Sequence, residues 1–201
     1  MSQPQLKVRI TPQEYLRRER AAEFKSEFFD GEIFAMSGGS PPHSLIKTNL
    51  VCELCNRLKG HSCTAYDSDL RIKVDATGLY TYPDASVICG SLEFDEEDKQ
   101  RHTVINPTLI AEVLSPTTEA YDRGKKFNHY RRILSLREFL LVSQDEARIE
   151  RFLRNADGTW TLTEASGLDA ILHLPSLGID LSLNEVYAKV DFAQAATELP
   201  S

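Results

Sequence analysis

Apolar and polar positions along the chain define short strand-like segments interspersed with helical ones. Strict alternation at 70–74 is typical of a half-buried strand, whereas apolar residues that recur every four positions from Ile46 to Leu58 predict an amphipathic helix. The predicted strands lie at 63–66, 70–74, 80–89, 109–114, 137–143, 148–153 and 159–163. The predicted helices lie at 11–22, at 43–58, between 116 and 134, and at 182–190. This succession predicts a mixed α/β fold.

Two Asp-Gly pairs stand between strand-like segments and predict tight hairpin turns. The first, Asp30-Gly31, places Glu27 on the incoming strand of a hairpin. The second, Asp157-Gly158, predicts an added β-hairpin region near the C-terminus.

One predicted strand carries a charge near its centre. The apolar run from Leu109 to Leu114 is short enough to be a strand buried on both faces, yet Glu112 lies inside it. An ionised carboxylate in a dry strand is costly unless a cation, a metal ion or hydrogen-bond donors compensate it. We therefore expect Glu112 to have partners nearby in space, and the candidates are Asp84 upstream and Lys126 downstream.

The phase of the helix after this strand separates two adjacent lysines. At about 100° per residue, Lys126 lies at the margin of the apolar face and reaches back toward the sheet, whereas Lys125 points nearly opposite. Two structural interpretations remain open. Asp122 and Lys126, four positions apart, would form a surface ion pair of little energetic weight, or a salt bridge from Lys126 or Arg123 would satisfy Glu112 without any metal.

Length and charge limit the organisation of the chain. Its 201 residues, 41% hydrophobic and 26% charged, suit one globular domain. We assign that domain to 11–190, with an N-terminal lead over 1–10 and a tail over 191–201 that has little to bury and is expected to be mobile. The net charge of −7 excludes a basic nucleic-acid coat, so a polyanion must meet a local positive patch. The segment 123–132 supplies one, because it contains basic side chains and no acidic residue.

Cellular location and redox state follow from two absences in the sequence. The sequence shows no apolar stretch of the signal-peptide type and no run that could span a bilayer, so we predict a cytoplasmic protein without membrane contact. The four cysteines, Cys52, Cys55, Cys63 and Cys89, are then expected to be reduced core thiols. Cys52 and Cys55 have the spacing of half a zinc site, but no second pair completes it. The acid-rich stretch 93–98 is expected to be a solvated loop.

The two strand carboxylates suggest a specific chemistry. If Asp84 and Glu112 lie side by side on neighbouring strands, they form an oxygen-ligand site for a hard cation such as Mg²⁺ or Mn²⁺. Such a cation would bind a phosphate oxygen, lower the pKa of a bound water and stabilise the charge that develops in phosphodiester hydrolysis. A lysine beside it would orient or deprotonate the water and offset negative charge.

The same residues form the motifs of a known nuclease family. These motifs are Pro83-Asp84, Glu112-Val113-Leu114-Ser115-Pro116-Thr117-Thr118, and Asp122-Arg123-Gly124-Lys125-Lys126 with Tyr130, preceded by the Glu27 to Glu32 hairpin and His43. Together they resemble the Uma-two family of bacterial restriction endonuclease-like proteins, within the PD-(D/E)XK nuclease superfamily. The resemblance covers about residues 11 to 190, essentially the whole predicted domain.

The resemblance implies a restriction-endonuclease-like core, with a central mixed β-sheet flanked by helices. It also implies that Asp84 and Glu112 are the metal-binding carboxylates, that Glu27 is an additional acidic ligand and that Lys126 is the catalytic lysine. In the superfamily pattern the lysine lies two residues after the acid on the same strand, and here Leu114 occupies that position. The lysine is therefore expected on the following helix.

We accordingly expect a Mg²⁺-dependent endonuclease that hydrolyses DNA phosphodiester bonds, with Mn²⁺ as a substitute. Contacts to substrate phosphates are expected from His43, Arg123 and Lys125. A homodimer would suit the cutting of both strands of a duplex. Two alternatives stay open: a nucleic-acid-binding or regulatory module that has kept the fold with little or no turnover, and a hydrolase of small phosphoesters.

Overall fold

The structure of the protein is a computed structural model that describes residues 9–192. Its elements, in chain order, are α1 (Pro12–Glu19), β1 (Ser26–Phe29), β2 (Glu32–Ala35), α2 (Pro41–Arg57), β3 (Cys63–Asp67), β4 (Arg71–Val74), β5 (Leu79–Thr81), β6 (Ala85–Cys89), β7 (Thr103–Val104), β8 (Leu109–Val113), α3 (Glu119–Tyr121), a π-helical turn (Asp122–Lys126), α4 (Phe127–Tyr130), β9 (Glu138–Val142), β10 (Arg148–Arg154), β11 (Trp160–Ser166), β12 (Ile171–Leu174), β13 (Ile179–Ser182) and α5 (Leu183–Val186).

The larger sheet has six strands in the order β11-β10-β9-β8-β6-β3. Its central strand, β8, runs parallel to β9 and antiparallel to β6, so the sheet is mixed as predicted. All five residues of β8 are buried, which explains its unbroken apolar character. The helix α2 covers one face of this sheet with Ile46, Leu50 and Leu54, each fully buried in the main core. These three residues confirm the period-four pattern in the sequence.

The smaller sheet has five strands in the order β2-β1-β5-β4-β7. Asp30 and Gly31 form the β1–β2 turn with φ angles of 48° and 80°, the left-handed conformation that an Asp-Gly turn supplies. Tyr15 of α1 stacks on Phe28 of β1 at a ring-centroid distance of 4.9 Å and closes a separate small core. This sheet positions Glu27, which is the neighbour of Phe28 on β1.

The predicted strand at 80–89 is two strands in two different sheets. The chain leaves the smaller sheet after Thr81 and enters the larger one at Ala85. Pro83 lies in the break, where its missing N–H costs no ladder hydrogen bond. Asp84 is therefore held at the junction between the sheets, immediately before β6.

The C-terminal region contains the predicted hairpin and one that was not predicted. β10 and β11 pair through the Asp157-Gly158 turn and extend the larger sheet. β12 and β13 form a separate two-stranded hairpin whose inward residues, among them Leu174 and Leu181, join the main core. The mixed α/β fold with an added C-terminal hairpin region is thus observed.

Three sequence-based expectations are wrong in part. Cys63 and Cys89 form a disulfide between the paired strands β3 and β6, and only Cys52 and Cys55 are described as free thiols, both exposed rather than in the core. The loop at 93–98 is not uniformly solvated, because Asp95 and Asp98 are buried.

Two acidic side chains of that loop are buried because they pair with cations of β4. Asp95 accepts from Lys73 at 2.6 Å, and Asp98 accepts from Arg71 at 3.0 Å. The charges of the loop therefore anchor it to the smaller sheet.

The chain termini were predicted to be a lead and a mobile tail. Ile10, within the predicted lead, donates its backbone N–H to Gly31 O at 3.0 Å and packs against the small aromatic core. The fold therefore begins before residue 11. Most of the predicted tail lies outside the described residues, as do the first eight residues. Across 9–192, no helix is long and apolar enough to cross a membrane.

Candidate active site

Four sequence-predicted residues converge at the junction of the two sheets. Glu112 comes from the middle of β8, Glu27 from β1 of the smaller sheet, and Lys126 from the end of the π-helical turn. The β6–β8 register pairs Ala85 with Ala111, so the next step along the strands places Asp84 opposite Glu112. The predicted proximity of these side chains is therefore observed.

The ammonium of Lys126 is the centre of the cluster. Its Nζ lies 2.9 Å from Glu112 Oε1, 3.4 Å from Glu27 Oε1 and 3.5 Å from Asp122 Oδ1. Burial lowers the pKa of Lys126, but Glu112, Tyr130 and the other carboxylates raise it well above the ordinary lysine value. The side chain is 7% exposed, so Lys126 is a buried, charged ammonium rather than a surface cation.

Glu112 is a buried carboxylate whose charge is opposed by its surroundings. Its Oε1 accepts a 2.6 Å hydrogen bond from the Tyr130 hydroxyl as well as contacting Lys126. Burial raises the pKa of Glu112 to about 8; Lys126 opposes the rise, whereas Asp122 and Asp84 add to it. Burial and the neighbouring carboxylates thus disfavour the charged form of Glu112, and Lys126 alone does not compensate for them.

Asp84 is held in place by the β-sheet and by α2. Its Oδ2 accepts the backbone N–H of Val113 at 2.9 Å and lies 3.2 Å from His43 Nε2. Burial raises the pKa of Asp84, but the contacts with His43 and Val113 outweigh it and hold the pKa below the ordinary aspartate value. Asp84 is therefore ionised beside Glu112.

His43 had been predicted to contact a substrate phosphate, and the structure instead directs it to Asp84. The residue lies in the first turn of α2, whose N-cap Ser40 accepts from the His43 N–H at 3.3 Å. Its Nδ1 is buried without a hydrogen-bond partner in the described part of the chain. A Cβ at Gly39 would approach that nitrogen to 2.5 Å, so only glycine fits against the imidazole.

Glu27 faces Lys126 from the opposite sheet. Its Oε1 accepts from the Thr81 hydroxyl at 2.5 Å and its Oε2 from the Tyr121 hydroxyl at 3.1 Å. These donors fix the carboxylate at the edge of the cluster, where its direct cationic contact is Lys126.

The basic segment 123–132 divides into internal and exposed parts. Arg123 donates to both carboxylate oxygens of Glu150, at 2.6 and 2.8 Å, and to Glu119 at 2.6 Å. Its guanidinium is therefore engaged in a partly buried salt bridge with Glu150 and is not free to bind a phosphate. Lys125 is exposed, as the helical phase predicted.

Two residues of the cluster were not assigned to the site from the sequence. Asp122 is buried, and burial raises its pKa while Lys126 opposes the rise. The interpretation of Asp122 and Lys126 as a surface ion pair is therefore wrong, because the pair is buried. Tyr130 is buried, and its hydroxyl donates to Glu112 Oε1. A buried tyrosine needs such a partner, which was the available signal.

The arrangement is suited to a cation held by few protein ligands. Across residues 9–192, no group of three or more His, Cys, Asp and Glu side chains is arranged to enclose a metal ion. Asp84 and Glu112 nevertheless present carboxylates from adjacent strands. Both side chains therefore offer oxygen atoms as metal ligands. Mg²⁺ is commonly bound by one or two carboxylates together with water and substrate phosphate, so these residues fit that ion.

Comparison with known proteins shows the family of the chain. The Uma2 family model, described as "Putative restriction endonuclease", matches residues 12–185. Two proteins of Synechocystis sp. are similar to the chain. The "Uncharacterized protein slr1290" is 40% identical over 185 residues, which cover 92% of this chain and 94% of that protein. The "Uncharacterized protein sll1609" is 38% identical over 161 residues, which cover 80% and 90%.

A solved structure shares the fold. It is described as the crystal structure of a putative nuclease belonging to DUF820 from Anabaena variabilis, and it matches with a TM-score of 0.67 at 21% identity. The match covers 87% of this chain and 93% of that one. The chain has the fold of that protein and belongs to the Uma2 family of restriction endonuclease-like proteins.

Proposed function

We propose that the protein is a Mg²⁺-dependent endonuclease that hydrolyses DNA phosphodiester bonds in the cytoplasm, with Mn²⁺ as a possible substitute. One observation carries the proposal: Asp84, Glu112 and Lys126, which lie on separate elements, meet at one buried point. The Lys126 Nζ lies 2.9 Å from Glu112 Oε1, and Asp84 follows opposite Glu112 in the strand register.

The charge balance supports a cation at Asp84 and Glu112. Three carboxylates, from Glu27, Glu112 and Asp122, lie within 3.5 Å of the Lys126 ammonium, and Asp84 adds negative charge beside Glu112. Burial with like charges nearby raises the pKa of Glu112 to about 8, so the site favours an additional positive charge. In this proposal Asp84 and Glu112 hold the ion, and Glu27 is a candidate third ligand.

The chain's own residues would then act around the substrate phosphate. A bound divalent cation would supply an acidified water and would neutralise charge on the phosphoryl oxygens. Lys126 would act as a hydrogen-bond donor to the attacking water or to a developing oxyanion, because its raised pKa keeps it protonated. Tyr130 would orient the Glu112 carboxylate by donating to Oε1.

Recognition of DNA is assigned to exposed cations beside the cluster. Lys125, Arg131 and Arg132 are all exposed and follow or flank Lys126 in the chain. They would contact backbone phosphates, which is how a protein of net charge −7 can bind a polyanion locally. His43 and Arg123 would join them only by giving up their contacts with Asp84 and Glu150. We also propose a homodimer, since two symmetric sites suit a duplex.

A binding or regulatory module with little turnover is the second candidate, and Leu114 favours it. This residue occupies the position at which the superfamily pattern places its lysine, and it is 5% exposed within the core. Lys126 would take the role of that lysine from another element. The position of its ammonium during the reaction therefore decides between a nuclease and a binding module.

The test is nicking of supercoiled plasmid by purified protein with Mg²⁺ or Mn²⁺ at fixed salt. We expect metal-dependent cleavage by the wild type, loss of at least about 100-fold in Asp84→Asn and Lys126→Ala, and full activity in Lys59→Ala, which removes an exposed lysine just after the C-terminal end of α2. Cleavage that persists in Asp84→Asn would contradict the proposed metal site.

The same assay separates the other candidates. Metal and DNA binding without cleavage would favour the binding module. Hydrolysis of a small phosphodiester such as bis-p-nitrophenyl phosphate, without cleavage of duplex or single-stranded DNA, would favour a small-phosphoester hydrolase.

A further inference from the structure

Asp122 is a buried acid for which the proposed reaction has so far required no role. Its side chain is 4% exposed and its Oδ1 lies 3.5 Å from the Lys126 Nζ. Both residues belong to the same five-residue turn, so their separation is set by local backbone geometry rather than by packing between sheets. An acid that served only solubility would not be buried here.

The backbone of this turn directs both side chains inward. The N–H of Phe127 donates to Asp122 O, five residues earlier, which is the hydrogen bond of a π-helix. Within the turn, Asp122 and Lys126 are buried while Lys125 is exposed. Single π-helical turns inside α-helices occur frequently at functional sites because they redirect side chains.

The three acceptors of Lys126 are not equivalent in the proposed reaction. Glu112 is assigned to the cation, so its carboxylate has to be shared between the ion and Lys126. Glu27 comes from another sheet and already accepts from Thr81. Asp122 is the acceptor that lies on the same helical segment as Lys126 and has no assignment to the cation.

We propose that Asp122 is a positioning residue that holds the Lys126 ammonium beside Glu112 from the helix side, so that a lysine outside the usual strand position can serve the reaction. The inference rests on the proposed nuclease function. Asp122 compensates for the placement of Lys126 on a flexible four-carbon side chain that starts from a helix rather than from the strand of Glu112.

The energetic signature of this role differs from that of a structural ion pair. The cluster has more carboxylates than cations, so removal of one negative charge should not destabilise the fold. Asp122→Asn, which preserves side-chain volume, should therefore keep or raise the thermal midpoint while it loosens Lys126. A merely structural role would lower the midpoint instead.

The experiment compares the full-length wild type with Asp122→Asn, Asp122→Glu and the control Glu119→Gln. Glu119 is a more exposed acid on the same helical segment that pairs with Arg123. We expect the kcat of plasmid nicking to fall about 100-fold in Asp122→Asn, with a smaller loss of Mn²⁺ affinity than in Asp84→Asn and partial recovery of kcat in Asp122→Glu. The control should match the wild type in every measurement.

A second readout needs neither metal nor activity. A buried, hydrogen-bonded lysine ammonium gives an observable ¹H–¹⁵N signal in solution NMR, and we expect the Lys126 signal to be lost or strongly shifted in Asp122→Asn only. An unchanged signal, an unchanged kcat or a loss of Mn²⁺ affinity in Asp122→Asn as large as that in Asp84→Asn would overturn the positioning role. If the wild type does not cleave DNA, the proposed function fails, and the NMR comparison still decides whether Asp122 positions Lys126.

Discussion

Glu138 is a second buried carboxylate, and its environment differs from that of the candidate active site. It begins β9, is 0% exposed, and accepts the backbone N–H of Ser176 at 2.8 Å through Oε1. Its Oε2 has no hydrogen-bond partner in the described part of the chain. Burial raises the pKa of Glu138, although the hydrogen bonds from Ser176 oppose the rise.

The raised pKa has a defined consequence for stability. The folded protein binds the Glu138 proton more tightly than the unfolded chain does. Protonated Glu138 therefore contributes in full to the free energy of unfolding below the glutamate pKa of the unfolded chain, and this contribution is lost as the pH rises through the pKa of the folded protein. Glu138→Gln keeps the acceptor for Ser176 and removes the charge. We expect it to stabilise the protein by about 1–3 kcal/mol at pH 8 and to have a smaller effect at pH 4.

Urea denaturation of both proteins at the two pH values measures this difference. The more exposed Glu146→Gln, at a residue that pairs with Arg148, serves as the matched control. An equal or larger effect of Glu138→Gln at pH 4 than at pH 8 would show that ionisation of Glu138 is not the cause.

At the scale of elements, the disulfide between β3 and β6 makes a separate prediction. It joins Cys63 to Cys89 over a sequence separation of 26 residues and closes the loop that contains Asp84. A loop of this length should stabilise the fold by about 3 kcal/mol. Dithiothreitol should lower the free energy of unfolding by that amount in the wild type and leave the Cys63→Ala/Cys89→Ala variant unaffected.

Chemical denaturation with and without the reductant provides the measurement. The free cysteines Cys52 and Cys55 make Cys52→Ser/Cys55→Ser the control, which should respond to reduction as the wild type does. A wild type that is indifferent to the reductant would show that the disulfide does not contribute to the stability of the purified protein.

Local signals predicted most helices and strands, because their physical causes lie within a few residues. Thr11 accepts from the N–H of Glu14 at 3.2 Å and Pro12 begins α1, in agreement with the predicted helix start at residue 11. The helix predicted at 182–190 is shorter: α5 spans only Leu183–Val186, and its N-cap side chain makes no hydrogen bond.

Features that depend on distant partners could not be obtained from local patterns. The assignment of residues 80–89 to two sheets depends on which strands pair with each half, and the Cys63–Cys89 bond depends on the β3–β6 register. Burial of Asp98 depends on Arg71, which lies on another element. Acidic character alone therefore favoured a solvated loop.

The candidate site was predictable where charge conflicted with its surroundings. Glu112 within an apolar strand required partners, and the helical phase favoured Lys126 over Lys125. The same periodicity could not reveal the π-helical turn, because a hydrogen bond between backbone groups five residues apart has no distinct residue pattern. For that reason a surface ion pair of Asp122 with Lys126 stayed open as an interpretation.

At the scale of the whole molecule, the cluster lies at the junction of two sheets that share one hydrophobic core, in which Ile72 and Leu79 of the smaller sheet are grouped with Ile110 and Phe139 of the larger one. Glu27 comes from the smaller sheet, whereas Glu112 lies on the central strand β8 of the larger one and Asp84 immediately precedes its neighbour β6. Lys126 contacts carboxylates of both. The excess of carboxylates over cations at this junction is therefore the property on which the proposed metal site rests, and a bound cation would balance it.

Binding of Mn²⁺ to the metal-free protein, followed by electron paramagnetic resonance, tests that property most directly. We predict saturable binding by the wild type, an affinity at least about tenfold lower in Glu112→Gln, and an unaltered affinity in Glu138→Gln, which removes a buried carboxylate elsewhere. Equal affinity in the wild type and Glu112→Gln would contradict the assignment of the cation to this cluster.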